Sequence, residues 1–277
     1  MSSEAEAPIA RSDLSTRFVA SVVMVAVALV CIYVGGWLFR TLVAAGAALM
    51  MIEWGDMHRV RRPLSWTAAA SLALTLLIAG GILFSPSEQV EAIGGASFEP
   101  AWAGFGVIAV GALVIGALSR RVAMAWGFFY MAVPAFALIV LEWAWFGIIL
   151  WVMVVTWATD ICAYAAGRSI GGPKLAPRIS PNKTWAGLGG GVIGAAILGG
   201  LVAWRLGLGY PFLALGGLMG LIAQGGDLYE SWVKRRRDVK DSGTLLPGHG
   251  GVLDRLDGLM PVAVLTLAVV MAGMWTG

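Results

Sequence analysis

Ser231–Asp257 reads SWVKRRRDVKDSGTLLPGHGGVLDRLD, the most polar run in a chain that is otherwise mostly apolar. It holds Lys234, Arg235, Arg236, Arg237, Lys240 and Arg255, six of the chain's 19 lysines and arginines. It also holds Asp238, Asp241, Asp254, Asp257 and His249, one of only two histidines. Apolar runs of helical length flank it on both sides. A glycine-rich charged loop between two such runs suits a phosphate-rich ligand and a divalent metal, set at a bilayer.

The composition agrees. Of 277 residues, 59% are hydrophobic and 13% charged, with mean hydropathy +0.83; a soluble domain carries roughly 25% charged residues. The apolar segments have helical length rather than short alternating patterns, which points to an all-α polytopic membrane protein and not a barrel. Cys31 and Cys162 both fall in apolar segments and read as small buried hydrophobes, with no disulfide framework or metal spacing. Residues 1–17 are polar and are expected to be disordered on the cytoplasmic side. The apolar run after Arg17 lacks a convincing cleavage site and reads as a retained first helix. Residues 18–277 then form a single transmembrane domain.

Nine segments approach the ~20 residues a bilayer core requires: 18–34, 36–53, 66–84, 101–118, 122–141, 143–165, 185–204, 210–226 and 258–276. Only Gly35 and Gly36 divide the first two, so one long helix is an alternative. Glu53 and Asp56 are read as ending the second, and Pro134 as a candidate kink in the fifth. Nearly all the basic residues fall in alternate connections, with Arg40 and Arg205 the exceptions. The intervening 3–4 connection has three glutamates and no lysine or arginine. The positive-inside rule therefore places the N-terminus in the cytoplasm and the C-terminus outside. Trp37, Trp54, Trp66, Trp102 and Trp185 lie near predicted helix ends, as interfacial anchors or packing residues. Gly187/Gly191 and Gly190/Gly194 have the spacing that allows close helix approach, expected within the chain, with a dimer contact as the alternative.

The polar chemistry gathers in two cytoplasmic loops, 160–187 and 227–258. An ionisable residue at the depth of Asp227 is expensive unless paired and marks a functional site. If its helix continues towards Lys240, Asp227, Ser231 and Lys234 share one face; the plainer reading is an interfacial aspartate paired with an arginine. Asp254 and Asp257, three apart, can present paired oxygens of the kind that hold Mg²⁺ together with substrate phosphates, although Asp257 would also serve as a helix N-cap. His249 lies among glycines whose backbone can approach an anion closely; it reads equally as a structural loop residue. Lys183 in ISPNKT is a point charge for phosphate, and Thr184 is either a phosphate contact or the N-cap of the next helix. Asp160 is a third carboxylate for the site or a partner for Arg168. No Walker A, Rossmann or zinc pattern is present, and the basic loop is better explained by topology and lipid headgroups than by nucleic acid.

Ser231–Asp257 resembles the signature of the phosphatidate cytidylyltransferases, or CDP-diacylglycerol synthases. Ser231, Val233, Lys234, Arg235, Lys240, Asp241, Gly243, Leu246, Pro247, His249, Gly250, Gly251, Val252, Asp254, Arg255, Leu256 and Asp257 fall in its pattern. The resemblance extends to Asp160, Tyr164, Gly167, Arg168 and Ser180–Trp185; one departure is Ala186, where many relatives carry glutamate. It implies the reaction of CTP with phosphatidate to give CDP-diacylglycerol and pyrophosphate, in phospholipid biosynthesis at the cytoplasmic face of the bacterial inner membrane. It implies Mg²⁺, with a second cation left open, and a homodimer. On this reading Asp227 and Asp254 take the metal, with Asp257 and Asp241 supporting. Lys234, Arg235, Lys240 and Arg255 hold phosphates; Ser180, Lys183, Thr184 and Ser231 complete the substrate cradle, and His249 orients it. A CDP-alcohol phosphotransferase would need an A-R continuation after Asp257-Gly258, which Leu259-Met260-Pro261 does not supply. A transporter would place its ionisable groups near the bilayer midplane, not at one face.

Overall fold

This computed structural model describes residues 11–82, 99–245 and 250–274. The acidic 3–4 connection, His249 and residues 1–10 lie outside the described residues. The described chain is built from helices: α1 (Arg11–Val34), α2 (Gly36–Met57), α3 (Arg62–Ile82), α4 (Glu99–Ser119), α5 (Val122–Ala144), α6 (Phe146–Ser169), α7 (Trp185–Leu206), α8 (Tyr210–Arg236), the short α9 (Leu253–Leu256) and α10 (Leu259–Val269), which a π turn extends to Met274. A two-stranded hairpin, β1 (Lys174–Ala176) and β2 (Ser180–Thr184), joins α6 to α7. Within the described residues, each of the nine apolar segments overlaps a helix. Six of these, α2 to α7, are long and apolar enough to cross a membrane. α1 includes residues 11–17, part of the stretch expected to be disordered.

Gly35 decides between one first helix and two. It adopts φ 64°, a conformation side-chain-bearing residues avoid, and the backbone turns there. The Gly36 amide then donates to Glu142 Oε1 at 2.9 Å, tying the break to the end of α5. α5 runs through Pro134 and is the central element: from Met131 to Ala144 it is almost continuously buried. α2, α3 and α4 pack around it, α10 lies against it, and α6, α7 and α8 form a second tight group. The glycine spacing in α7 works inside the chain. A Cβ at Gly190 would collide with the Ala166 side chain, and one at Gly194 with Cys162, both on α6. Small residues let these helices approach closely where no hydrophobic drive separates helix from lipid.

Of the two roles open to it, Trp54 takes packing. It is 2% exposed, not an interfacial anchor. Its indole N–H donates to the Ala123 carbonyl at 2.8 Å, and its ring occupies the space a side chain at Gly127 would need. Trp37, Trp66, Trp102 and Trp185 are well exposed. The hairpin is a second departure, since its strands contain Pro181 and adjoin Pro177. β1 and β2 pair antiparallel, Lys174 opposite Thr184 and Ala176 opposite Ser180. The hairpin swings the 6–7 connection back over the end of α8, where Arg235 Nε donates to the Ile179 carbonyl at 3.3 Å.

Candidate active site

The apolar part of α8 ends near Gly226, and the helix continues to Arg236 rather than to Lys240. That extension carries Asp227, Glu230, Ser231 and Lys234. Gly226 brings the α9–α10 corner onto α8: a Cβ there would strike the Asp257 carbonyl and lie 2.8 Å from the Pro261 ring. The close approach sets Asp257 beside Asp227. Asp160, on α6, faces both, and the three carboxylates act on one another's charge together with Lys183. Arg255 adds a positive charge acting on Asp160.

Lys183 reaches the cluster from β2. Its ammonium pairs with the Asp227 carboxylate and donates to Gln224 Oε1 at 2.9 Å. Ser231 Oγ donates to Asp227 Oδ1 at 3.4 Å. Asp257 Oδ1 accepts from the Gly258 amide at 2.8 Å. Burial pushes the Asp257 carboxyl up to about 7, and the neighbouring charges of Asp227 and Asp160 push the same way. Three carboxylates face the Lys183 ammonium and the more distant Arg255, and their oxygens are the hard donors a divalent cation takes. Among the described residues no group of three or more His, Cys, Asp or Glu side chains is placed to hold a metal ion by itself. A cation held here would therefore draw further ligands from water or from substrate phosphates, the usual habit of Mg²⁺.

Lys234 and Asp254 sit in a neighbouring triad. The Lys234 ammonium lies 2.7 Å from Glu230 Oε2 and 2.7 Å from Asp254 Oδ1. Asp254 also accepts from the Ser242 amide at 3.0 Å and the Gly251 amide at 2.8 Å, both on Oδ2. Burial opposes its charge, but hydrogen bonds from Glu230, Lys234 and Gly251 outweigh it and hold the carboxyl down to about 2. Glu230 is 2% exposed; burial first, and the bond to Asp254 second, push it up to about 9. Burial and Asp254 favour the neutral form of Glu230, and the Lys234 ammonium opposes them. Both residues expected to face ligand are thus engaged within the protein.

Among the other predicted residues, Thr184 is buried and caps α7, accepting from the Gly187 amide at 3.0 Å. Ser180 is half-buried in the hairpin; Arg235, Lys240, Asp241 and Arg255 are exposed. Arg168 donates to the Tyr164 hydroxyl at 3.0 Å.

Residues 15–272 match the cytidylyltransferase family. The chain belongs to that family. It is 37% identical to the phosphatidate cytidylyltransferase of Brucella suis over 270 residues, 92% of each chain. It is 46% identical to the Bacillus subtilis protein of the same name over 127 residues, 44% of this chain and 47% of that one. The phosphatidate cytidylyltransferase of Helicobacter pylori is also 46% identical, over 114 residues, 40% of this chain and 42% of that one.

Two residues that the sequence reading passed over stand beside the site. Gln224 is buried and holds Lys183. Glu53, read as a helix terminator, is 2% exposed and bonds the signature loop. A carboxylate one turn inside the end of an apolar run is the signal that could have singled out Glu53.

Proposed function

We propose that this protein transfers the cytidylyl group of CTP to phosphatidate. An oxygen of the lipid phosphate attacks the α-phosphorus of CTP, the bond from that phosphorus to the bridging oxygen breaks, and pyrophosphate leaves. The observation that carries the reading is the 37% identity, kept over 92% of the chain, to a protein named phosphatidate cytidylyltransferase. The lipid phosphate is already a nucleophile, so no activated serine or cysteine is required. Catalysis rests on alignment and charge.

Asp227 and Asp257 are the residues we assign to Mg²⁺, with Asp160 close by. Held there, the ion would supply positive charge that offsets the charge on the attacking and leaving phosphate groups. Lys183, steered by Gln224, supplies a positive charge for the departing pyrophosphate. Arg235, Lys240 and Arg255 draw the triphosphate in from water. Lys234 and Asp254 act by setting the loop, not by meeting the ligands. The positive-inside pattern supports nine crossings of the bacterial inner membrane, with this site facing the cytoplasm. Water-soluble CTP then arrives at the depth of the lipid phosphate. The glycine face of α7 is consumed within the chain, so a homodimer would use another surface.

Purified protein in detergent, given α-phosphate-labelled CTP and phosphatidate, is expected to form a labelled CDP-lipid that EDTA abolishes and Mg²⁺ restores. Absence of that lipid with folded protein would overturn the reaction. Asp227→Asn is expected to abolish turnover with normal folding; turnover at the wild-type rate would remove the metal assignment.

A further inference from the structure

Glu53 lies in α2, 189 residues from the loop it touches. Among the described residues it accepts three hydrogen bonds, all from the signature loop. Ser242 Oγ donates to Oε2 at 2.9 Å, the Val252 amide to Oε1 at 2.8 Å and the Leu253 amide to Oε2 at 2.9 Å. Backbone amides donating to a carboxylate make strong, charge-assisted bonds. The last two amides open α9, the short helix that bears Asp254 and Arg255 and leads directly into Asp257. Asp254 collects the neighbouring amides of Ser242 and Gly251. Two carboxylates, one from a distant helix and one from the loop itself, thus hold the loop between them.

The loop is shaped to admit the distant one. A Cβ at Gly243 would lie 2.8 Å from Glu53 Oε1, and a Cβ at Gly251 would lie 2.6 Å from Oε2. Glycine at both positions leaves the space that the Glu53 carboxylate fills. Remove the carboxylate and three donors lose their acceptor where little water reaches.

We propose that Glu53 is a positioning residue for cytidylyl transfer: it fixes α9 so that Asp257 stands against Asp227. The proposal rests on the reading of Asp227 and Asp257 as the metal-holding pair. A role confined to stabilising the bundle would alter melting and leave each folded molecule's kinetics alone. A positioning role changes the kinetics of folded protein and loosens the loop.

The test uses the full chain in detergent with Glu53→Gln, which keeps the shape but turns an amide NH₂ towards a backbone N–H. We expect kcat per folded molecule to fall about 10- to 100-fold, the range for residues that orient metal ligands. The Mg²⁺ concentration giving half-maximal activity is expected to rise. Trypsin is expected to cut faster after Lys240, while the main melting transition stays near that of the wild type. Gly243→Ala presses a methyl onto the same carboxylate from the loop side without changing charge; it should reproduce the effect, and it carries the test if Glu53→Gln fails to fold. Wild-type kcat, Mg²⁺ midpoint and trypsin rate in the folded variant overturn the proposal. Asp227→Asn run alongside separates the two readings. If it is inactive while Glu53→Gln behaves as wild type, only the Glu53 proposal falls; if it is fully active, the site reading and this proposal fall together.

Discussion

Replacing Lys234 with methionine removes the ammonium that stands 2.7 Å from both Glu230 and Asp254. With an effective dielectric of about 20, unit charges at that separation attract by about 6 kcal/mol. Desolvating both groups takes back several kcal/mol, and breaking one side of a buried pair typically costs about 3–5 kcal/mol. Asp254 keeps the amides of Ser242 and Gly251, so the cost belongs at the lower end, about 3 kcal/mol. For a chain of this size that is a fall in Tm of roughly 6–12 °C. The assay is thermal unfolding in detergent of Lys234→Met, Asp254→Asn and the double variant. The double variant has no buried charge to strand and should melt well above the sum of the single losses, with a coupling of about 2 kcal/mol. Losses that add to within about 0.5 kcal/mol would show that Lys234 and Asp254 act independently. Lys234 would then be available to ligand, as its place in the signature first suggested.

Glu230 gives a pH prediction. Its carboxyl is pushed up to about 9, above the value of an unfolded chain, so its contribution to stability is complete below the ordinary glutamate range and is lost as pH rises towards 9. Glu230→Gln has no proton to lose; between pH 6 and 9 its melting temperature should fall less steeply than that of the wild type, by at most about 1.4 kcal/mol per pH unit. Parallel curves would remove the buried proton. Gly190→Val drives a side chain into Ala166 on α6. It should lower stability by about 1–3 kcal/mol or more, read as lost monodisperse protein on size exclusion; unchanged yield and melting would mean that α6 and α7 do not meet there.

The helices were legible because lipid forces each crossing to be long, apolar and hydrogen-bonded within itself. The hairpin was not: its strands are three and five residues long, and the prolines in and beside it argue against pairing. Trp54 was left between two roles for a related reason. An indole near a helix end reads as an anchor until Gly127, 73 residues on, proves to be the slot that receives it.

The site divides along the same line. Asp227, Asp257 and Lys183 could be recognised singly, because each is a charge placed where an apolar helix ends. Which charges neutralise which depends on the crossing at Gly226 and the return of the hairpin, and neither has a local signature. Lys234 shows the consequence. Counting along the helix from Asp227 puts it on the ligand-facing side, while counting back four residues puts Glu230 beneath it, the better-oriented pair on a helix. The chain takes the second option because Asp254 arrives on the same ammonium from 20 residues away. Glu53 follows the same logic over a longer reach. A buried carboxylate needs donors, α2 has none to spare near its end, and the loop's unpaired amides supply them. Polar groups in this protein are therefore read best as donors and acceptors seeking partners across the bundle.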